Sequence, residues 1–280
     1  MQLIHHYTNI DTLALILQNK TLRFNRLDRV DDVSECQECS GIKFGQYYFV
    51  SSWTKLKEES IPQWHMYTNE MSGVRISFPK YPFKRERLIP PKEWNMIQEG
   101  EILSPVPFDK IFNNEFVIPP LFFNDDQFCG DIEYVKNIEE EYKKAVVHSK
   151  TPDGKDQLKI SNIGRLARLK KLDWKFQDEY RFVLFILPGI DIPHDGIGNE
   201  RYITELPNHM MNCLFNGVPP TITHFDVEID QEAIDNMTVT IGPLCGAGNR
   251  IIAETLVAKF SKFGKVLPSE LTGTIRKPVK

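Results

Sequence analysis

The stretch Phe176 to Leu187 constrains the fold more than any other part of this chain. By the two-residue period of a strand, Gln177, Glu179 and Arg181 share one face with Val183 and Phe185. Tyr180, Phe182, Leu184 and Ile186 line the other face. A strand that turns apolar on both faces is stable only where both are covered, so it belongs in the middle of a sheet. Its polar start then carries a glutamine, a glutamate and an arginine to the rim of that sheet. Such a glutamate is either a site residue or the ion-pair partner of Arg181, and the sequence leaves the two readings level.

Other elements can be placed around this strand. Asn9 can cap a helix over 9 to 20, because Ile10, Leu13, Ala14, Ile16 and Leu17 recur at helical spacing. Lys20 stands where a cation suits the helix C-terminus. Residues 21 to 25 alternate like a short strand, and 26 to 43 are polar, acidic and irregular. Tyr47 to Trp53 reads as a strand. Pro62 can open a helix over Gln63 to Thr68, and the turn at Gly73 leads into the alternating Val74, Ile76 and Phe78. The stretch 79 to 130 predicts short mixed elements, with a helix starting near Pro91. A charged helix is predicted over 131 to 148, with Ile132, Val135, Ile138 and Tyr142 on one side. An exposed loop is predicted at 149 to 157, and a second helix through Ile160, Ile163, Leu166 and Leu169. Beyond a Gly/Pro/Asp loop at 188 to 200, strands are expected at 222 to 229 and 238 to 242, and a helix at 249 to 263. There is no internal repeat and no βαβ rhythm, so the expected fold is α+β in a single domain, 1–280.

Composition excludes several classes. At 41% hydrophobic and 26% charged, the 280 residues are neither disordered nor fibrous. A net charge of -4 supplies no global field for nucleic acid, so any such contact needs a local patch. No uninterrupted apolar run of about 18 residues is present, and the N-terminus has no basic region. The expectation is a cytoplasmic protein with no membrane partner. Five scattered cysteines fit reduced thiols.

Several constellations are candidates for chemistry. His6 and Thr8 would face the same way on a strand that ends at a helix start, where a ribose and a phosphate can be held. On spacing alone the plainer pairing, a surface histidine and a helix-start threonine, is favoured. Trp64 and Tyr67 share a helix face; core packing is favoured for Trp64, and Tyr67 is the candidate to cover a planar ligand. Cys36 and Cys39 are half of a zinc clip, but no second pair completes it, so no metal is expected. Cys129, Cys213 and Cys245 read as small core residues. The segment Gly242 to Gly248 is glycine-rich, stands between a strand and a helix, and is a weak anion-site candidate without a lysine. Arg165, Arg168, Lys170, Lys171 and Lys175 read as a solvated basic face, or as a surface for a polyanion.

Taken in order, these pieces resemble a bacterial family, the domain of unknown function 2971. The resembling stretches are His5-His6-Tyr7-Thr8-Asn9, Thr21-Leu22-Arg23, the partly kept Val30-Asp31-Asp32-Val33-Ser34-Glu35, and Phe49-Val50-Ser51-Ser52. They continue with Gln63-Trp64-His65-Met66-Tyr67 before Gly73-Val74, then Gln177-Asp178-Glu179-Tyr180-Arg181, and Ile241-Gly242-Pro243. That pattern is in turn similar to the ADP-ribosyltransferase superfamily, which implies a mixed β core with flanking helices and NAD as a consumed substrate. The resemblance implies Glu179 as catalytic glutamate and Gln177 as the residue that orients the acceptor. It implies a cofactor-binding set of His6, Tyr7, Thr8, Arg23, Ser52, Trp64, Tyr67 and Arg181, with His6 on the adenosine ribose. Tyr67, or less so Tyr47, would stack on nicotinamide. Gln177 stands where a second glutamate is found in some of those enzymes, which argues against a second carboxylate base.

The expected activity is transfer of ADP-ribose from NAD to an unknown protein or nucleic-acid acceptor, in bacterial toxin or phage-defence biology by analogy. Three rivals stay open. One is a non-catalytic module on the same fold, binding a nucleotide or nucleic acid. Another is an NAD-dependent RNA 2′-phosphotransferase-like activity. The plainest is a scaffold or interaction protein, which predicts no deep pocket joining His6 to Glu179.

Overall fold

The computed structural model describes residues 2–89, 93–94, 103–152, 154 and 156–276. Strand β1 (Leu3–Thr8) runs through Asn9 into helix α1 (Ile10–Asn19) and returns along β2 (Thr21–Arg26). Asn9 caps α1, its side chain accepting from the Thr12 amide at 2.7 Å. Lys20 closes the helix in the left-handed region, φ 54°. Next come β3 (Tyr48–Thr54), α2 (Ile61–Tyr67, capped by Ser60) and β4 (Val74–Pro79). The middle of the chain supplies β5 (Cys129–Asp131), β6 (Glu133–Val135), α3 (Ile138–Ala145) and β7 (Leu169–Lys171). It ends in β8 (Glu179–Phe185), α4 (Glu200–Phe215), β9 (His224–Glu228), β10 (Thr238–Ile241), α5 (Ala247–Phe260) and β11 (Lys265–Pro268).

Among the described residues, nine strands form one mixed sheet. Its order is β5–β8–β3–β1–β4–β10–β11, with β2 beside β3 and β9 beside β2. Strands β10 and β11 are parallel, and the other pairs are antiparallel. Helices flank this sheet, α1 packing beside α5. The fold is therefore α+β with a central mixed sheet. Strand β8 sits inside it, and all seven of its residues are buried. Phe182 and Leu184 enter one apolar cluster with Phe24, Phe83 and Phe128. Val183 and Phe185 enter a second with Tyr48 and Tyr142. The two apolar faces are covered separately, as the sequence requires.

The local readings of α1, β2, β3, α2, β4, β9, β10 and α5 agree with the structure to within a few residues. Others are corrected. Strand β8 starts at Glu179, not Phe176: Leu172–Gln177 is a 3-10 helix, and Asp178 turns at φ 41°. The helix predicted over 131 to 148 is only α3, because Glu133–Val135 pairs in parallel with β7 and Val146–Lys150 is a strand. The loop at 149 to 157 is the end of a hairpin between Val146–Lys150 and Asp156–Ile160. The helix predicted through Ile160 to Leu169 is reduced to one turn, Ile163–Leu166, since Asn162 adopts φ 49°. Helix α4 is missing from the sequence reading, although Tyr202, Leu206, Met210 and Leu214 recur at helical spacing; Pro207 inside it is the one residue that argues against a helix there. The helix start expected near Pro91 lies outside the described residues.

Between α2 and β4, Asn69, Glu70 and Met71 are all left-handed, with φ of 48°, 55° and 67°. Such residues cost roughly 1–2 kcal/mol each. The fully buried Met71, packed with Tyr7 and Trp64, holds the turn in place. The turn delivers Gly73 against β1 so closely that a Cβ there would lie 2.2 Å from the Thr8 carbonyl oxygen. Substitution Gly73→Ala is therefore expected to lower stability by about 1–3 kcal/mol. Denaturant unfolding checks this, and an unchanged midpoint would refute the steric account.

Candidate functional site

The sheet splits at β3. One edge of β3 pairs continuously with β8, from Glu179↔Thr54 to Phe185↔Tyr48. The other edge pairs with β1 only at His5↔Thr54, and with β2 only at Asn25↔Val50 and Arg26↔Phe49. Ser51, Ser52 and Trp53 lie in neither ladder. A cavity of about 520 Å³ opens at this split, walled by β1, α1, β2, β3, α2 and the start of β8. His6, Tyr7, Arg23, Ser52, Tyr67, Gln177, Glu179 and Arg181 all line it. Of the ten residues that the resemblance implies as catalytic or cofactor-binding, Thr8 and Trp64 do not. Thr8 is buried at the end of β1 opposite Val74. Trp64 is fully buried, edge-on to Tyr7 at 4.8 Å, with its indole N–H on Glu59.

His6 fills the missing rung of the split ladder. Its Nδ1 lies 3.0 Å from the Ser52 carbonyl oxygen. A carbonyl only accepts, so Nδ1 carries the proton and the lone pair of the neutral ring stays on Nε2. Burial lowers the pKa of His6, and the Ser52 hydrogen bond opposes that only in part.

Glu179 belongs to a closed ring of four buried charges. Arg181 Nε and Nη2 approach Glu179 Oε1 at 2.7 and 2.6 Å. Arg181 Nη1 donates to Glu35 Oε2 and to the Ala167 carbonyl. Lys170 Nζ lies 3.1 Å from Glu179 Oε2 and 3.2 Å from Glu35 Oε1, the latter an ion-pair distance without hydrogen-bond alignment. All four side chains are at most 4% exposed. Burial alone would raise the Glu179 carboxyl. Arg181 and Lys170, with hydrogen bonds from Ser52 and Lys170, outweigh it and hold the group below the usual carboxylate range. Of the two readings of Glu179 at the outset, the ion pair with Arg181 is present, and the same side chain also lines the cavity.

A second polar chain meets this ring. Tyr67 donates its hydroxyl hydrogen to Asp31 Oδ2 at 3.0 Å and accepts from Gln177 Nε2 at 2.7 Å. The Gln177 carbonyl accepts from Thr54 and Gln63, which pins its backbone. Arg23 stands at the exposed side of the cavity, paired with Asp226 through Nε at 2.9 Å and Nη2 at 3.0 Å. Tyr7 is spent on structure, since its hydroxyl accepts the Ser60 amide. Tyr47, the alternative aromatic, is fully buried and donates to the Cys213 carbonyl, away from the cavity.

Three residues of this arrangement were not site candidates in the sequence, Asp31, Glu35 and Asp226, and Lys170 was read only as part of the basic stretch. Asp31 and Glu35 lie in the acidic segment that resembles a family loop, which is the signal that points to them. The basic stretch is corrected. Arg165 pairs with Glu133 and Glu141, Arg168 is buried and donates to the Asp126 carbonyl, and Lys170 is in the ring. Only Lys171 and Lys175 are left exposed on it. The glycine-rich segment does not line the cavity; Gly242 lacks a side chain because a Cβ would lie 2.4 Å from the Met71 carbonyl oxygen. Among the described residues, no group of three or more His, Cys, Asp or Glu side chains could hold a metal ion. No helix among them is long and apolar enough to cross a membrane.

No protein family, curated protein or solved structure matches this chain.

Two outcomes follow from the electrostatics. Glu35→Gln leaves the two ring cations facing a single carboxylate, which should cost about 3–5 kcal/mol in denaturant unfolding. A loss well under that would mean that the ring opens to water. The second concerns His5, whose Nδ1 meets Ser77 Oγ at 2.8 Å. Burial first, and Arg75 second, lower its pKa from an ordinary 6.5 to about 4. Between those values the unfolded chain binds a proton that the folded chain does not. Its contribution to stability is thus complete above pH 6.5 and is lost as the pH falls toward 4. His5→Gln should flatten the stability profile across that interval; an unaltered slope would refute the assignment.

Proposed function

We propose that the cavity binds NAD and that the chain is an ADP-ribosyltransferase-like enzyme, of the family its ordered motifs resemble. One observation carries the reading. His6, Tyr67, Gln177 and Glu179, drawn from three segments of the chain, meet on one cavity with an ionised carboxylate in its wall. In this chemistry the bond between ribose C1′ and the nicotinamide nitrogen breaks. Its electrons leave on the nitrogen, which neutralises the pyridinium. The ribose gains oxocarbenium character, and Glu179 beside it supplies the opposing charge. The acceptor then bonds to C1′ and gives its proton to solvent. His6 Nε2 accepts from a ribose hydroxyl, and the Tyr67 ring is the wall for nicotinamide. The pyrophosphate lies toward Arg23, which must first leave Asp226.

One observation favours a second reading, in which NAD is bound and not consumed: both Glu179 oxygens are already ion-paired. Arg168 and Lys170 are buried and Arg165 is neutralised at the surface by Glu133 and Glu141, which removes cations that a nucleic-acid module would need.

Calorimetric titration with NAD and an assay for free nicotinamide test the proposal. His6→Ala should weaken NAD binding about tenfold. Glu179→Gln should cut nicotinamide release by about 100-fold or more, and a thermal melt should show that the variant is folded. Binding without release would favour the second reading. Release that survives intact in Glu179→Gln, or no binding of NAD, would end the first.

A further inference from the structure

The cavity passes through the gap in the sheet, and its two ends differ. Residues paired across antiparallel strands share a face. His5 and Glu179 are both paired with Thr54, so they lie on one face of the sheet. His6, the next residue of β1, lies on the other. Packing agrees, since Ile4, Ile16 and Trp53 share one apolar cluster while Tyr7 packs with Trp64 in another.

On the His6 face, one side of α1 walls the cavity. Thr12, Leu15, Ile16 and Asn19 all line it, at the i, i+3, i+4, i+7 spacing of a single helical stripe. The rings of His6 and Trp53, 5.0 Å apart, line the same end. Ile16 and Trp53 are nearly buried, but Leu15 is 59% exposed. A single exposed leucine is ordinary on a surface. This one borders a cavity, between two polar residues of its own stripe. His6 Nδ1 is held by Ser52, and Nε2 has no partner among the described residues and stays open to the cavity.

This end is therefore apolar across its middle and polar round its margin. A planar heteroaromatic base is divided in the same way, with apolar faces and with donors and acceptors along its edge. Thr12 and Asn19 can each donate and accept. An aliphatic chain would strip water from Thr12, Asn19 and His6 and return no hydrogen bond. A ribose whose hydroxyl meets His6 Nε2 carries its base to the stripe beside it.

We propose that this end of the cavity is an aromatic-base subsite that takes the adenine of NAD, with Leu15 as its outer wall. Glu179, and Tyr67 packed with Tyr7, lie on the opposite face. The dinucleotide thus runs through the gap in the sheet, adenine on one face and nicotinamide on the other. The inference rests on the NAD reading for its choice of base.

The test is calorimetric titration of the intact chain with adenosine and with ADP-ribose, repeated on Leu15→Asn and Leu15→Met. Leu15 is exposed, so both variants should fold, which a thermal melt checks. Adenosine is uncharged, so its response reports apolar contact and not field. Leu15→Asn should weaken both probes about tenfold, and Leu15→Met should keep them within about twofold. Failure of the wild type to bind either probe, affinity unchanged in Leu15→Asn, or equal loss in both variants would each overturn the proposal. The assay for nicotinamide separates this inference from the reading above it. NAD consumption that ignores both Leu15 variants leaves the enzyme standing and removes the subsite. Adenosine binding that needs an apolar residue 15, with no nicotinamide released from NAD, does the reverse.

Discussion

The rest of the structure depends on a balance of buried charge. Two acids and two bases, Glu35, Glu179, Lys170 and Arg181, are shut away from water with no net charge between them. Each ion alone would cost several kcal/mol to bury, and together they are tolerable only when all four are in place. The ring therefore ties the acidic loop, the short strand β7 and the central strand β8 to one geometry. A packing that lets the loop drift from β8 leaves Arg181 and Lys170 to share the single carboxylate of Glu179.

The split in the sheet and the ring are two halves of one arrangement. A continuous β3 edge would fill the gap at Ser51–Trp53 where the cavity opens. Because β1 and β2 part company across Ser51–Trp53, the start of β8 lines a cavity that opens toward Arg23. His6 and the Asp31–Tyr67–Gln177 chain then set the hydrogen-bonding character of that space. Few of its groups are free to choose a proton arrangement, because each is committed on its far side to a carbonyl or a carboxylate.

Much of this was legible because it is local. A capping asparagine ahead of an apolar period specifies α1, and alternation specifies β3 and β4. The two apolar faces of β8 place it in the interior with no further information. His6, Tyr67, Gln177 and Glu179 could be picked from their residue types and order, and the structure brings them to one cavity. What was not legible is long-range. Ile132 and Val135 have helical spacing, yet they lie in and beside a strand whose partner is 36 residues away at Leu169–Lys171. Lys170 reads as one more exposed cation, since nothing nearby in the sequence shows that two carboxylates from distant segments enclose it. Trp64 has the composition of a ligand wall, but burial under Tyr7 removes it from the cavity.

The open edge of β3 has a consequence for solubility. An unpaired strand edge on the outside of a protein is a template for another chain, and proteins commonly blunt such edges with charge, proline or a bulge. Here the unpaired stretch faces inward. It is closed at one end by β1 and at the other by β2, and its exposed carbonyl is already occupied by an imidazole. The chain thus keeps a break in its backbone ladder, which a binding cavity requires, without presenting that break to its neighbours in a crowded solution.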